Sequence, residues 1–266
     1  MRVSERRRLI LEAIQQQGVI SMREAAALVG TSEVTARRDL RHLAEEGLIR
    51  RTHGGAAAPN IVSREAPFLE KAQLAAAEKD AIAAVAAEMV DDGDAIAFGP
   101  GTTTLSLARR LTTREELTVV TNSILVSQAL QEAPGIHLLL SGGLVRSATH
   151  ALVGPIAEQS LAGLYVTTLF LSGNGLTAAR GLSTPDVLTA AVDRRLAASA
   201  ARVVVLADHT KVGVETMSLT VATDEIDCVI TDSQADPDEV DRLREAGVEV
   251  IVAGAEGVVD ESVLEE

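Results

Sequence analysis

The chain has 266 residues, of which 47% are hydrophobic and only four are aromatic. This composition favours a core of Ala, Val, Leu and Ile, as in a parallel sheet covered by helices. No apolar run is long enough to span a membrane, and the arginine-rich N-terminus lacks the apolar region of a signal peptide. A single cysteine, Cys228, excludes an internal disulfide. We therefore expect a cytoplasmic protein without a membrane anchor.

The net charge of −14 argues at first against a nucleic-acid partner, but the charges are unevenly distributed. Residues 1–57 contain ten Lys and Arg against seven Asp and Glu, a net charge of +3. Residues 58–266 contain fourteen against thirty-one, a net charge of −17. This asymmetry indicates that any binding to DNA is confined to the N-terminal part.

Three helices are predicted in the N-terminal part. The first covers residues 4–17 and ends at a glycine. Ser21 and Glu24 have the spacing of a capping box and open the second helix. After a glycine turn, the third helix begins at Thr31 or Ser32 and ends at the next glycine in the chain.

The third helix has two contrasting faces. Ala36, Leu40, Leu43 and Ala44 fall within one arc of roughly 100° on a helical wheel and suit a small core. The opposite face carries arginines and short side chains, which suits the major groove of DNA. The following residues, LIRRTHGGA, predict a strand, a Gly-Gly turn and a basic hairpin, so the whole reads as a winged helix-turn-helix. The residues expected to contact DNA are Ser32, Val34, Thr35, Arg37, Arg38, Arg41, Arg50, Arg51 and His53.

The segment SEVTARRDLRHLAEEGLIRRTHGGA resembles the N-terminal signature of the DeoR family of bacterial transcriptional repressors. The pattern S-x-x-T-x-R-R-D-L-x-x-L, followed by G-L-I-x-R-x-H-G-G-A, is matched almost position for position. Ala36 departs from it, because the family usually has a larger aliphatic residue there. The resemblance implies binding to double-stranded operator DNA. The alternative is a helical head that binds another protein.

Beyond the head, the pattern changes to that of an α/β fold. An alanine-rich amphipathic helix is predicted from Leu69 to about Val90, and strands then alternate with helices. Such alternation predicts a mostly parallel, doubly wound sheet. The predicted strands lie near 94–98, 117–121, 136–141, 150–153, 166–172, 202–207, 228–231 and 248–252, and the helices near 103–112, 123–133, 155–162, 185–200 and 237–246. We divide the chain into a winged helix-turn-helix DNA-binding domain (1–57), a linker (58–74) and an α/β effector-binding and oligomerisation domain (75–266).

Polar and glycine-rich loops follow several of the predicted strands. The loop GPGTTT leads into a helix, whose N-terminus offers free N–H groups and a positive dipole end to a single phosphate. The loops TNS, SGG, SGNG and DHTK follow other strands, and parallel topology gathers such loops into one pocket. We expect Lys211 to pair with the phosphate, and Asn122 and Asn174 to bind sugar hydroxyls. The residues expected to bind the effector are Gly99, Gly101, Thr102, Thr103, Thr104, Asn122, Gly142, Gly143, Asn174, Asp208 and Lys211.

The same loops resemble the C-terminal sensor of the DeoR family, which shares its fold with ribose-5-phosphate isomerase. The resemblance implies a phosphorylated sugar or sugar-like metabolite as the effector. Two departures fall at the expected ligand site. Gly99-Pro100 stands where many members have an aspartate, and Asp208-His209-Thr210-Lys211 replaces the usual D-S-S-K. The identity of the effector therefore stays open.

The alternative function is a sugar-phosphate isomerase-like enzyme with an appended DNA-binding head. The isomerase's acidic D-G-A-D-E stretch is absent, and His209, beside Asp208 and Lys211, is the only reactive-looking group. No His/Cys cluster and no nucleotide-binding pattern occurs. We expect no catalytic residue, metal or cofactor. We expect a repressor of a carbohydrate-utilisation operon, acting as a homo-oligomer (dimer or tetramer) because one head buries too little surface for tight binding.

Overall fold

The computed structural model of the chain describes residues 1–46, 48–52, 54–58 and 65–254. We call residues 1–58 the head and residues 65–254 the body. Among the described residues, no helix combines the length and the apolar character needed to cross a membrane.

The head contains three helices and a three-stranded antiparallel sheet with the strand order β1-β3-β2. Its elements are α1 (Val3–Gln17), β1 (Val19–Ser21), α2 (Met22–Leu28), α3 (Glu33–Glu45), β2 (Arg50–Arg51) and β3 (Gly55–Ala57). The predicted capping box is confirmed: Ser21 Oγ accepts from the Glu24 N–H, and the Glu24 carboxylate accepts from the Ser21 N–H. Strand β1 was not predicted, because three residues between two helices carry no periodic signal.

The inner face of α3 is buried in the core of the head, together with Ile10 and Ile14 of α1. Asp39 lies on the same face, with only 1% of its surface exposed. Its carboxylate binds the guanidinium groups of Arg6 and Arg7 of α1. A buried carboxylate needs such partners, so these two arginines hold α1 against α3.

The body is organised around a seven-stranded parallel sheet with the strand order β15-β14-β12-β9-β4-β5-β6. Its strands are β4 (Ala95–Phe98), β5 (Leu117–Thr121), β6 (Ile136–Leu140), β9 (Val166–Leu171), β12 (Ala200–Leu206), β14 (Cys228–Asp232) and β15 (Glu249–Ala253). Separate apolar clusters pack on its two faces, and the helices are α5 (Ala76–Ala87), α6 (Thr102–Arg110), α7 (Ile124–Leu130), α8 (Pro155–Ser160), α9 (Val187–Ala197) and α10 (Pro237–Glu245). The predicted doubly wound α/β fold is confirmed.

The chain order reverses between β4 and β9. From β4 the chain runs outward to β6 and returns to β9, which pairs with the other side of β4 and leads outward to β15. The loops that follow β4 and β9 therefore diverge at the centre of the sheet and leave a crevice, the usual place for a ligand in such sheets.

In the described part of the body, five short strands lie outside the parallel sheet. The strand near 150–153 is present, but it pairs antiparallel with a strand that was not predicted. Three further strands form an antiparallel sheet of their own. These elements are β7 (Leu144–Arg146), β8 (Ala151–Val153), β10 (Gly175–Thr177), β11 (Gly181–Thr184) and β13 (Ser218–Val221). Runs of three or four residues are too short for a period to show in the sequence.

The continuous helix predicted from Leu69 to Val90 is wrong. The structure has two helices, α4 (Phe68–Gln73) and α5, separated at Ala75, whose φ of 50° is left-handed. The Lys79 side chain, only 2% exposed, donates to the carbonyl oxygens of Lys71 and Leu74. These carbonyls end α4, so a lysine from the following helix supplies the partners that a continuous helix would have supplied.

Candidate functional site

The outer face of α3 is exposed. Ser32 caps the helix, and its Oγ accepts from the Thr35 N–H at 3.4 Å. Val34 is 72% exposed. The side chains of Arg37, Arg38 and Arg41 are also exposed. This face therefore offers cations and short side chains to a groove while its opposite side packs in the core.

The wing lies against the body. Arg50 Nη2 donates to the backbone oxygen of Glu215 at 3.3 Å. Arg51 belongs to β2, but its side chain, like the whole of His53, lies outside the described residues. In this arrangement Arg50 faces the body, and α3 carries the exposed basic face.

A second contact joins the head to the body through His209. Its Nε2 lies 3.2 Å from Glu24 Oε1 of the head, and its Nδ1 lies 3.0 Å from Asp232 Oδ1 at the end of β14. Burial by itself would lower the pKa of His209, but the hydrogen bonds to Asp232 and Glu24 outweigh it and raise the pKa to about 10. His209 is therefore a cation at neutral pH, held between a carboxylate of the body and one of the head.

A cavity of about 30 Å³ lies at the crevice between β4 and β9. Its walls come from the loops after β4, β9 and β12, from the first turn of α6, and from α9 and the segment before β8. Gly101 packs closely there, because a Cβ at this position would lie 3.0 Å from Ser172 Cβ and Ser172 would have to shift by a few tenths of an ångström. The lining residues are Glu65, Lys71, Pro100, Gly101, Thr102, Thr103, Thr149, Ser172, Gly173, Asn174, Thr184, Thr189, Asp193, Asp208 and Lys211.

Asp208 is the buried anion of this cavity. Lys211 Nζ lies 3.2 Å from its carboxylate and Lys79 Nζ lies 3.8 Å away. Burial would raise the pKa of Asp208, but the two lysines and the Thr210 hydroxyl lower it to about 2. In return, Asp208 pairs with Lys211, which lines the cavity, and with Lys79 of α5, which is buried behind it.

Asp193 of α9 is a second buried acid, and the described residues form no ion pair with it, although the charge of Arg194, next in the chain, acts to lower its pKa. It is 2% exposed, and its Oδ1 has no hydrogen-bond partner among the described residues. Burial raises its pKa to about 8, so the group is mostly protonated at pH 7. A neutral carboxyl in a cavity wall can both donate a hydrogen bond to a ligand and accept one.

Comparison with known proteins decides the family. A family model described as the DeoR C terminal sensor domain matches residues 74–233, and one described as the DeoR-like helix-turn-helix domain matches residues 6–62. The chain is 35% identical over 253 residues to the "Putative aga operon transcriptional repressor" of Escherichia coli O157:H7, with 94% of each chain covered. It is 36% identical over 248 residues to the "HTH-type transcriptional regulator GlpR" of Haloferax volcanii, covering 93% of this chain and 97% of that one. The chain belongs to the DeoR family.

This DeoR-family protein is a DNA-binding transcriptional regulator and not an enzyme, in agreement with the named relatives and the helix-turn-helix match. Among solved structures, ribose 5-phosphate isomerase A of Methanocaldococcus jannaschii aligns at 19% identity and a TM-score of 0.38, with 50% of this chain and 52% of that one covered. That likeness is too low to bear on activity.

The cavity of this DeoR-family regulator includes about half of the residues expected at the effector. Six of them line it, namely Gly101, Thr102, Thr103, Asn174, Asp208 and Lys211. The others are placed outside its walls, namely Gly99, Thr104, Asn122, Gly142 and Gly143. Three of these five have visible local roles. Thr104 Oγ1 donates to the Gly101 carbonyl, Asn122 Nδ2 donates to the Leu152 carbonyl, and Gly99 makes room for the Leu171 side chain.

Sequence reasoning missed several wall residues. Asp193 carried a usable signal, because it stands three residues from both Ala190 and Leu196, on the buried face of a predicted helix. Glu65 and Lys71 carried none, because a charged pair in a linker resembles ordinary solvated sequence. Thr149 reaches the cavity from the turn before β8 and Thr184 from the end of β11, and neither place gave a periodic pattern. Thr189 lies in the first turn of α9, a helix that was predicted.

We predict that Asp193→Asn flattens the pH dependence of stability. The carboxyl of the folded chain has its pKa raised to about 8, against 3.8 unfolded, so the wild type loses stability as the pH rises from about 4 to 8. A single such group contributes at most about 1.4 kcal/mol per pH unit in this window. Thermal unfolding of both proteins between pH 4 and 9 checks this, and parallel curves would contradict a buried neutral Asp193.

We also predict that His209→Asn destabilises the chain most at low pH. The folded pKa of His209 is raised to about 10 from 6.5, so its contribution is complete below pH 6.5 and is lost as the pH rises to about 10. The unfolding temperatures of wild type and His209→Asn should therefore converge between these pH values. The matched control is His137→Asn, at the exposed His137 of β6. If the difference in unfolding temperature between the wild type and His209→Asn stays constant with pH, the ion pair is refuted.

Proposed function

We propose that the chain is a repressor of a carbohydrate-utilisation operon, and that a phosphorylated sugar or sugar-like metabolite sets its affinity for operator DNA. The proposal rests chiefly on one observation: hydroxyl groups and a lysine from three strand ends converge on the N-terminus of α6. The protein would act in the cytoplasm, where the operator and such metabolites meet.

The chemistry of the cavity supports a phosphate bound beside a polyol. Thr102 and Thr103 stand in the first turn of α6, where N–H groups and the helix dipole favour an anion. Lys211 supplies a cation, and the neutral carboxyl of Asp193 suits a sugar hydroxyl, for which it can be donor or acceptor. Gly99 and His209, where the chain departs from the family, both lie outside the cavity walls and do not identify the sugar.

The head supports sequence-specific binding to the major groove. We propose that Arg38 and Arg41 contact base edges or phosphates, with Arg37 on phosphates, and that Val34 packs on a thymine methyl group. A homo-oligomer, a dimer or tetramer, would present two or more heads, and this supplies the affinity that one small interface lacks. The acidic body, with its large negative charge, must then be held away from the duplex.

The decisive experiment is a mobility-shift titration of the protein on the promoter fragment of its own gene. We expect the double variant Arg38→Ala/Arg41→Ala to lose roughly 30- to 20,000-fold in affinity, because each of the two arginines at a base or phosphate contributes about 1–3 kcal/mol. Arg195→Ala, at an exposed arginine on α9 of the body, is the control of equal chemistry and should bind like the wild type.

The same titration is repeated with glucose 6-phosphate, fructose 6-phosphate, ribose 5-phosphate and their unphosphorylated sugars. A change in affinity with a phosphorylated compound alone supports the sensor proposal. A response to an unphosphorylated sugar, with none to any phosphate, would refute the phosphate assignment. Full cellular activity of the double variant would instead favour a head that binds protein.

A further inference from the structure

The first nine residues of the body, 65–73, which we call the linker segment, form one wall of the proposed effector cavity. Glu65 and Lys71 from this segment both line the cavity, although they precede the first strand of the body. Asp193 belongs to α9, whereas Glu65 and Asp208 both lie outside any helix or strand, Asp208 after β12 and Glu65 before α4. Glu65 is therefore the wall carboxylate nearest the head in the chain.

Two cations hold Glu65 in place. Lys71 Nζ lies 3.3 Å from Glu65 Oε1, and the guanidinium of Arg146, from β7, contacts Oε2. The side chain of Glu65 is only 6% exposed, and those of Lys71 and Arg146 are 16% and 23% exposed. Burial lowers the pKa of Lys71, against the attraction of Glu65, and the positive charges of Lys211 and Arg146 lower it further. Three cations thus cluster at this side of the cavity, and Glu65 is the carboxylate that binds two of them.

The free volume is too small for a sugar phosphate. A cavity of about 30 Å³ holds two or three water molecules, since about 10–15 Å³ is enough for one. The wall must therefore rearrange before a metabolite enters. Removal of Glu65 would open space and at the same time leave Lys71 without its anion, which is costly unless another anion replaces it. Arg146 would keep one carboxylate, that of Asp186 at 3.2 Å, and lose the other.

We infer that Glu65 occupies the anion subsite of the effector, formed by Lys71 and Arg146, and that the phosphate of the effector exchanges for its carboxylate. This inference rests on the proposed function and names the subsite and its internal competitor. A phosphate brings more charge and more acceptor oxygens than a carboxylate, so it is the stronger partner for an arginine and a lysine.

Replacement of the Glu65 carboxylate by phosphate would act on the part of the chain that connects the head to the body. Glu65 follows Ala58 by seven residues, a span of at most about 25 Å when fully extended. Beyond Glu65, the linker segment is attached to the body by the Phe68 N–H, which donates to the Ala148 carbonyl, and by the Phe68 ring, which meets His150 edge-on at 5.6 Å. Release of Glu65 would remove one attachment of the linker segment to the body and leave the attachment at Phe68, so the effector and the linker compete for one site.

The test is a titration of inorganic phosphate into the full-length protein, followed by calorimetry. Glu65→Gln removes the competing charge and keeps the shape, so we expect it to bind phosphate at least tenfold more tightly than the wild type. Glu70→Gln, at an exposed residue on α4 of the same segment, is the matched control and should bind like the wild type. Lys71→Met should bind at least tenfold more weakly. A folded Glu65→Gln variant with unchanged or weaker phosphate binding would overturn the inference.

A second measurement needs no variant. Amide hydrogen exchange of Glu65 and Ala66 in the wild type should become faster with saturating phosphate, because Glu65 is released while Lys71 and Phe68 stay in place. Slower or unchanged amide hydrogen exchange in the phosphate-bound protein would contradict the replacement of the Glu65 carboxylate by phosphate. The promoter titration distinguishes the two proposals. If a sugar phosphate changes the wild type's affinity for the promoter but Glu65→Gln binds phosphate no more tightly, only the competition by Glu65 is refuted. Failure of every phosphate to alter the wild-type shift refutes the proposed effector.

Discussion

The carboxylate of Asp208, buried between Lys79 and Lys211, is the interaction on which the sensing end of the molecule depends. An anion this deep is stable only with cations beside it, and these two also keep it ionised throughout the physiological pH range. Lys79 in turn donates to the carbonyls that end α4, so the same ion cluster fixes the linker segment. The charges of Asp208, Lys79 and Lys211 thereby hold the cavity, the loop after β12 and the linker segment together. A charged ligand that enters the cavity interacts with all three.

The residue after Asp208 turns away from the cavity. His209 binds Asp232 of the sheet and Glu24 of the head, and Glu24 is also half of the capping box of α2. One short loop thus has the effector cavity on one side and the helix-turn-helix on the other. Arg50 of the wing is hydrogen-bonded to the body at Glu215, whereas the basic face of α3 stays exposed. A change of loop or linker that breaks these contacts would alter the presentation of the heads, as a two-state switch requires.

The sequence predicts those features that repeat. The two faces of α3 follow from a period of 3.6 residues, and the parallel sheet from apolar strands between glycine-rich loops and helices. The crevice between β4 and β9 follows from topology once the strand order is known. Contacts between distant residues leave no such pattern. Nothing local tells that Lys79 ends α4, that Glu65 meets Arg146 some eighty residues later, or that His209 faces the head rather than the ligand. These depend on how finished elements pack, as do the strands of three or four residues that pair only with each other.

If binding in the cavity changes the affinity of the head for the operator, then binding of the operator must change the affinity of the cavity for its ligand, and this reciprocity can be measured directly. The affinity of the active sugar phosphate is measured by calorimetry on the free protein and on the protein saturated with its promoter fragment. If the two sites are coupled, the operator changes the affinity for the sugar phosphate by the same factor by which the sugar phosphate changes the affinity for the operator, typically about 5- to 150-fold. An affinity for the sugar phosphate that is the same with and without the operator would contradict the account.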